Sequence, residues 1–137
     1  MYTAWQLFNT SAWVTELVKR GARAHVGAHG EPPLGRNYHA EMRFLKAGGM
    51  SNYQALECAT RSAAITLGMD SSIGSLSKGK LADLIVYPPD VNILEDLGDS
   101  EYPRYVVKGG RVWDASTLNQ IWPLHKPHKL IPHLNVD

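Results

Sequence analysis

The chain has 137 residues, 44% of them hydrophobic and 20% charged, with a formal net charge of +1. That near-balance supplies no field for steering nucleic acid or acidic lipid. No apolar run approaches the ~20 residues of a membrane span, and the N-terminus lacks the charged-then-apolar layout of a signal peptide. The single cysteine, Cys58, has no partner for an internal disulfide; it reads as a small buried hydrophobe and leaves the compartment open.

In chain order, Trp5, Phe8, Ala12, Trp13 and Leu17 recur at helical spacing, with Val14 and Val18 beside them. Lys19 and Arg20 suit the negative end of that helix, and Gly21 suits a left-handed cap. Arg23 to Ala28 then reads as a short strand, completing a helix, turn and strand of the kind that repeats in α/β barrels. The loop His29 to Arg36 holds two prolines and two glycines, which forbid regular structure. Asn37 is placed to cap a second helix carrying Tyr38, Met42 and Leu45 on one face and stopping at Gly48-Gly49. Ser51 and Gln54 have the spacing of a capping box, opening a helix with Leu56, Ala59, Ala63 and Leu67 as its apolar stripe and Gly68 at its end.

Gly74 and Gly79 bracket a turn that suits positive φ, and Leu84-Ile85-Val86 behind it predicts a core strand buried on both faces. Asp83 stands at the entrance to that strand, where the amides of the Gly74–Gly79 turn are the nearest donors. Val91 to Pro103 carries Glu95, Asp96, Asp99 and Glu101 and reads as a solvated acidic link. Tyr105-Val106-Val107 and Arg111-Val112-Trp113 flank Lys108-Gly109-Gly110, a hairpin signal. Beyond Asp114 the Pro-rich, His-rich stretch cannot form a long helix.

Three ordered pieces of this pattern, Leu67-Gly68-Met69-Asp70, Ile73-Gly74-Ser75-Leu76 and Gly79-Lys80-Leu81-Ala82-Asp83-Leu84, closely resemble the C-terminal signature of the amidohydrolase superfamily. The hairpin from Arg104 to Asp114 matches the same family. The resemblance runs from about Asn9 to Trp113 and is to metal-dependent hydrolases similar to imidazolonepropionases and dihydroorotases. It implies an α/β to α+β fold: the last βα unit or units of a TIM-like (β/α)8 barrel, then part of a small β-sandwich composite domain. The expected division is 1–73 for the barrel-type helices and strand, 74–114 for the sandwich segment and 115–137 for the tail. A complete barrel takes on the order of 250 residues, so the chain is expected to be a C-terminal fragment. The family's His-x-His has no counterpart here.

The resemblance also singles out candidate residues. His29 follows the predicted strand directly, at what would be the C-terminal mouth of a barrel strand, where barrel enzymes place catalytic groups. The family usually holds an aspartate in that slot, touching the metal and acting as base. A histidine there can ligate zinc or move a proton but cannot bridge two metals as a carboxylate can. His29 is therefore the candidate metal ligand and catalytic residue, against the reading that it only lines the mouth. Glu31, stiffened by Pro32-Pro33, is the candidate substitute base, against an ordinary loop glutamate. His39 and Glu41, in the first turns of the following helix, are candidates for substrate binding, against capping and surface roles. His25 reads as structural, and the tail histidines His125, His128 and His133 lack the fixed geometry a metal needs.

The function that the resemblance implies is hydrolysis of non-peptide C–N bonds, with cyclic amides as typical substrates. A divalent metal, zinc first, is expected in the full-length parent and none in this chain alone, which by itself is expected to be inactive. The expected partners are a small-molecule amide and a second copy of the chain, with no nucleic acid and no membrane. The competing reading is a non-catalytic domain that folds alone and mediates assembly.

Overall fold

The computed structural model describes residues 4–28 and 35–129, with side chains from residue 9 onward. Four helices come first: α1 (Ala4–Lys19), α2 (Arg36–Ala47), α3 (Asn52–Ala59) and α4 (Arg61–Thr66). Strands follow: β1 (Leu84–Val86), β2 (Tyr105–Lys108), β3 (Arg111–Asp114) and β4 (Gln120–Trp122), with a short 3-10 helix at Leu97–Glu101 between β1 and β2. The described residues form two compact units: 4–28 and 35–80 with 90–101, and 81–89 with 102–129. Helices and sheet are thus segregated, the α+β arrangement.

The helical unit is built on helix ends that the sequence specifies locally. At the end of α1, Gly21 adopts φ 92°, and the Gly21 and Ala22 amides donate back to the Val18 and Leu17 carbonyls. α2 ends the same way, with Gly49 and Met50 donating to Lys46 and Leu45, and α4 repeats it through Gly68 and Met69. Each satisfies carbonyls that a helix end otherwise leaves orphaned. The capping box at α3 is complete, Ser51 Oγ accepting from the Gln54 amide and Gln54 Oε1 from the Ser51 amide.

Four expectations change. The first turn of α2 starts at Arg36 with Gly35 as its N-cap, φ 83° and no side-chain cap bond, so Asn37 lies inside the helix. The stretch expected as one helix from 52 to 67 breaks at Thr60 (φ −129°, ψ −85°), whose Oγ1 donates to the Leu56 carbonyl at 2.7 Å, a bond that bends helices. The buried positions there are Ala55, Cys58 and Ala64, while Leu67 is exposed. On α1 the inward stripe is Ser11, Val14, Thr15 and Val18, and Trp13 and Leu17 face outward, Trp13 at 71% exposure. Finally, no ladder forms at residues 23–28 among the described residues. Burial there still alternates with period two: Ala24, Val26 and Ala28 turn inward and Arg23, His25 and Gly27 outward. The burial pattern of a strand is present without a ladder among the described residues.

The core of this unit gathers Val26, Met42, Leu45, Met50, Ala55, Cys58 and Leu97. Leu97 is fully buried and belongs to the segment expected to be a solvated acidic link. Asn52 Nδ2 ties that segment to α3 by donating to the Leu94 and Glu95 carbonyls at 2.8 and 2.9 Å. α1 and α2 approach so closely that a Cβ on Gly48 would fall inside the backbone of Ser11 and Ala12. Cys58 is a buried free thiol against Met50.

The second unit is a four-stranded antiparallel meander in the order β1-β2-β3-β4. Lys108 pairs with Arg111 across a two-residue turn, Gly109 (φ 56°) and Gly110 (φ 73°), the geometry that fits the twist of a hairpin. β1 is an edge strand, with Ile85 51% exposed, and so is not the doubly buried core strand expected. β4 adds a strand that the Pro-rich composition concealed. One sheet is present among the described residues.

The two signature residues flanking Leu81-Ala82 act within separate units. Lys80 Nζ donates to the Ile73 carbonyl at 3.1 Å, to Ser75 Oγ at 2.8 Å and to the Asp70 carbonyl, closing the 70–80 turn. Asp83 does not cap that turn as expected. Its Oδ1 accepts from the Gly109 amide at 2.7 Å and its Oδ2 from Lys108 Nζ, so it anchors the β2–β3 hairpin.

Candidate functional site

Two of the four candidate site residues, His29 and Glu31, lie outside the described residues. The other two share α2 but not a face. Two positions along a helix turn a side chain to the opposite side, and accordingly Glu41 is exposed while His39 is half-buried. The structure does not bring them together.

His39 instead belongs to a polar cluster between α2 and the 3-10 helix. Its Nδ1 lies 2.9 Å from Ser100 Oγ, and Ser100 also donates to the Leu97 carbonyl at 2.7 Å. Next along the chain, Glu101 receives two guanidinium groups: Arg36 Nε at 3.3 Å on Oε2, and Arg43 Nη1 on Oε1. Arg36, His39 and Arg43 stand at i, i+3 and i+7, one stripe of α2. The stripe itself was open to sequence reading; its acidic partner, sixty residues away in a run that looked solvated, was not.

The electrostatics follow from this packing. The hydrogen bond from Arg43 holds the Glu101 carboxyl below the usual carboxylate range, with Arg36 adding to it. Burial pushes the His39 imidazole below its ordinary value, Glu101 pulls it up and Arg43 pushes it down again. The cluster can therefore present a neutral imidazole held beside a fixed ion pair.

A metal is a different matter. Among the described residues no group of three or more His, Cys, Asp or Glu side chains is arranged to hold an ion. His25, His125 and His128 are each exposed, and His133 lies outside the described residues. The described residues do not by themselves fit a metal centre, which takes at least three protein ligands in a catalytic zinc site.

The likeness to known proteins extends over both units. The model of the amidohydrolase family matches residues 14–113, from within α1 to within β3. No curated protein matches the chain significantly. Among solved structures, a Xaa-Pro dipeptidase with methionine bound in its active site is similar over 80% of this chain at 28% identity, with a TM-score of 0.68. A provisionally named prolidase from Bifidobacterium longum is similar over 85% at 30% identity and a TM-score of 0.64. An amidohydrolase is similar over 75% at 28% identity and a TM-score of 0.60. The chain spans about a quarter of the length of these proteins, 26%, 26% and 25% respectively.

Proposed function

Because this chain belongs to the amidohydrolase family, we propose that it forms the C-terminal part of a hydrolase that cleaves amide C–N bonds. In this reading residues 23–28 are the last strand of a (β/α)8 barrel, and the loop with His29 and Glu31 stands at its catalytic mouth. α2 opens the covering helix, and the four-stranded sheet is part of a small composite sandwich. The observation that carries the reading is the ordered match across residues 14–113, which runs from the last residues of α1 through α2, α3 and α4 into β3. The period-two burial of residues 23–28 without a ladder supports it, since parallel strands pair with strands distant in sequence.

Within the whole protein, His29 is proposed as a ligand to a divalent metal, zinc first, and Glu31 as the base for the attacking water. The described residues supply no metal site of their own. For the substrate, two of the similar proteins are named for Xaa-Pro peptide cleavage, and one holds methionine. These names favour an N-acylated amino acid or dipeptide over the non-peptide cyclic amides that the sequence resemblance implies.

Assay of the protein carrying this segment, with zinc or manganese added, decides the reading. Panels of Xaa-Pro dipeptides, N-acyl amino acids and cyclic amides should show turnover in at least one class, lost in His29→Ala. A folded, metal-loaded protein that cleaves none of them overturns it.

A further inference from the structure

Lys80 is the last residue of the helical unit before the chain passes into the sheet. Its Nζ meets the Asp70 carbonyl, the Ile73 carbonyl at 3.1 Å and Ser75 Oγ at 2.8 Å, three neutral oxygens for the three protons that an ammonium has to give. Among the described residues it enters no ion pair. The near half of the turn is fixed by its backbone. The Ser72 and Ile73 amides both turn to the Met69 carbonyl, at 2.9 and 3.0 Å. Gly74, at φ 86°, lies so close to α4 that a Cβ there would come within 2.5 Å of the Ala64 Cβ. The far half is held differently: residues 75–79 are all exposed, Leu76 at 82%. Their hydrogen bonds among the described residues join Ser75 Oγ to Ser77 Oγ at 3.4 Å or end on Lys80, whose amide donates to the Ser77 carbonyl at 3.2 Å.

We propose that the 70–80 turn is a binding site for a primary ammonium, filled from within by Lys80, and that this ammonium is the latch holding residues 75–79 closed. An ammonium is a compact charge with three protons on one atom, whereas a guanidinium spreads five over a planar fork. Three oxygens that converge on one point suit the first and not the second. The inference is independent of the hydrolase reading. The latch opens to a change that removes the charge and the protons together, as acylation by an activated ester or thioester does. The ammonium gives one proton to water, the amine attacks the acyl carbon, the alcohol or thiol leaves with a second proton, and the amide keeps one N–H. Because the nucleophile is the free amine, Nζ must first leave its three oxygens. A closed latch is therefore slow to modify, and an acylated one does not close.

Two measurements on the 137-residue chain test this. With limiting acetyl N-hydroxysuccinimide ester, mass spectrometry should find Lys80 acylated about tenfold more slowly than the exposed Lys78, the scale of one or two hydrogen bonds. In urea the two should label alike. Equal rates in the folded chain overturn the latch. In Lys80→Met, which keeps the length of the side chain but has no donor, hydrogen exchange of the residue-80 amide should quicken about tenfold. In Lys80→Ala, propylammonium, which replaces the atoms lost beyond Cβ, should slow that exchange again with saturation, while tetramethylammonium at the same concentration should not. Unchanged exchange in Lys80→Met overturns the latch, and equal effects of the two salts overturn the ammonium site. Should either variant fail to fold, the labelling ratio in the wild-type chain still decides.

Discussion

Asp83 takes its role from a hairpin distant in sequence. Its carboxylate holds the Lys108 ammonium and the Gly109 amide, twenty-five and twenty-six positions along. The Lys108 hydrogen bond, followed by that of the Gly109 amide, holds its pKa below the usual carboxylate range. Asp114 is lowered as well, first by the Ser116 hydroxyl and then by the Thr117 amide, and Glu101 by Arg43. A carboxyl whose folded pKa is depressed stabilises the fold above its unfolded pKa and loses that contribution as pH falls through the folded value. Thermal stability should therefore be level at neutral pH and decline once pH drops below about 4, the unfolded carboxylate range. Asp83→Ala should lower Tm at neutral pH and flatten part of that decline. Asp83→Asn, which keeps an acceptor for Gly109, should melt between the two. Melting curves that superpose for all three proteins would show that the anchor contributes nothing.

At the scale of elements, the segment between β1 and β2 is best understood as a peg. Leu97 is fully buried in the helical core, and removing its side chain leaves a cavity into which the surroundings relax only in part. Leu97→Ala should cost about 2–5 kcal/mol in denaturant unfolding, far more than an alanine in a solvated acidic loop. The α1–α2 contact makes a sharper demand at Gly48, whose φ of −76° any residue can adopt. The restriction is space alone, because a Cβ would meet the backbone of Ser11 and Ala12. Gly48→Ala should cost roughly 1–3 kcal/mol, the scale of overpacking, or displace α1 altogether. Ser51→Ala, which only removes a cap, should cost about 1 kcal/mol. A Gly48→Ala protein as stable as Ser51→Ala would show that α1 is not docked there.

The whole molecule leaves apolar surface uncovered in each of its units. Trp13 and Leu17 are exposed on α1, and Ile85 and Trp122 on the sheet, at 71%, 54%, 51% and 61%. We propose that the 137-residue chain self-associates through such surface, since apolar patches and strand edges of this kind are normally covered. Light scattering should show a mass above one chain that falls in a Trp13→Glu, Leu17→Glu double variant; a clean monomer at high concentration refutes it. Turnover belongs to the same scale. With no group of three ligating side chains among the described residues, the isolated chain should hydrolyse no amide above background even with zinc or manganese. Metal-dependent cleavage lost in His29→Ala would reverse that expectation.

Local chemistry was legible in the sequence. The glycine caps, the Ser51–Gln54 box, the Gly109-Gly110 hairpin and the family signature each depend on residues within a few positions of one another, and each stands where composition and spacing placed it. What only the tertiary structure decided are the long-range pairings. Asp83 serves the distant hairpin, Leu97 enters the helical core, Ser100 and Glu101 meet His39 and the arginines of α2, and Thr60 divides a continuous apolar stripe. A periodic pattern says which side of an element is apolar, but not which partner covers it. A charge run looks the same whether its last carboxylate meets water or two guanidinium groups sixty residues away, because that depends on how the chain closes back on itself.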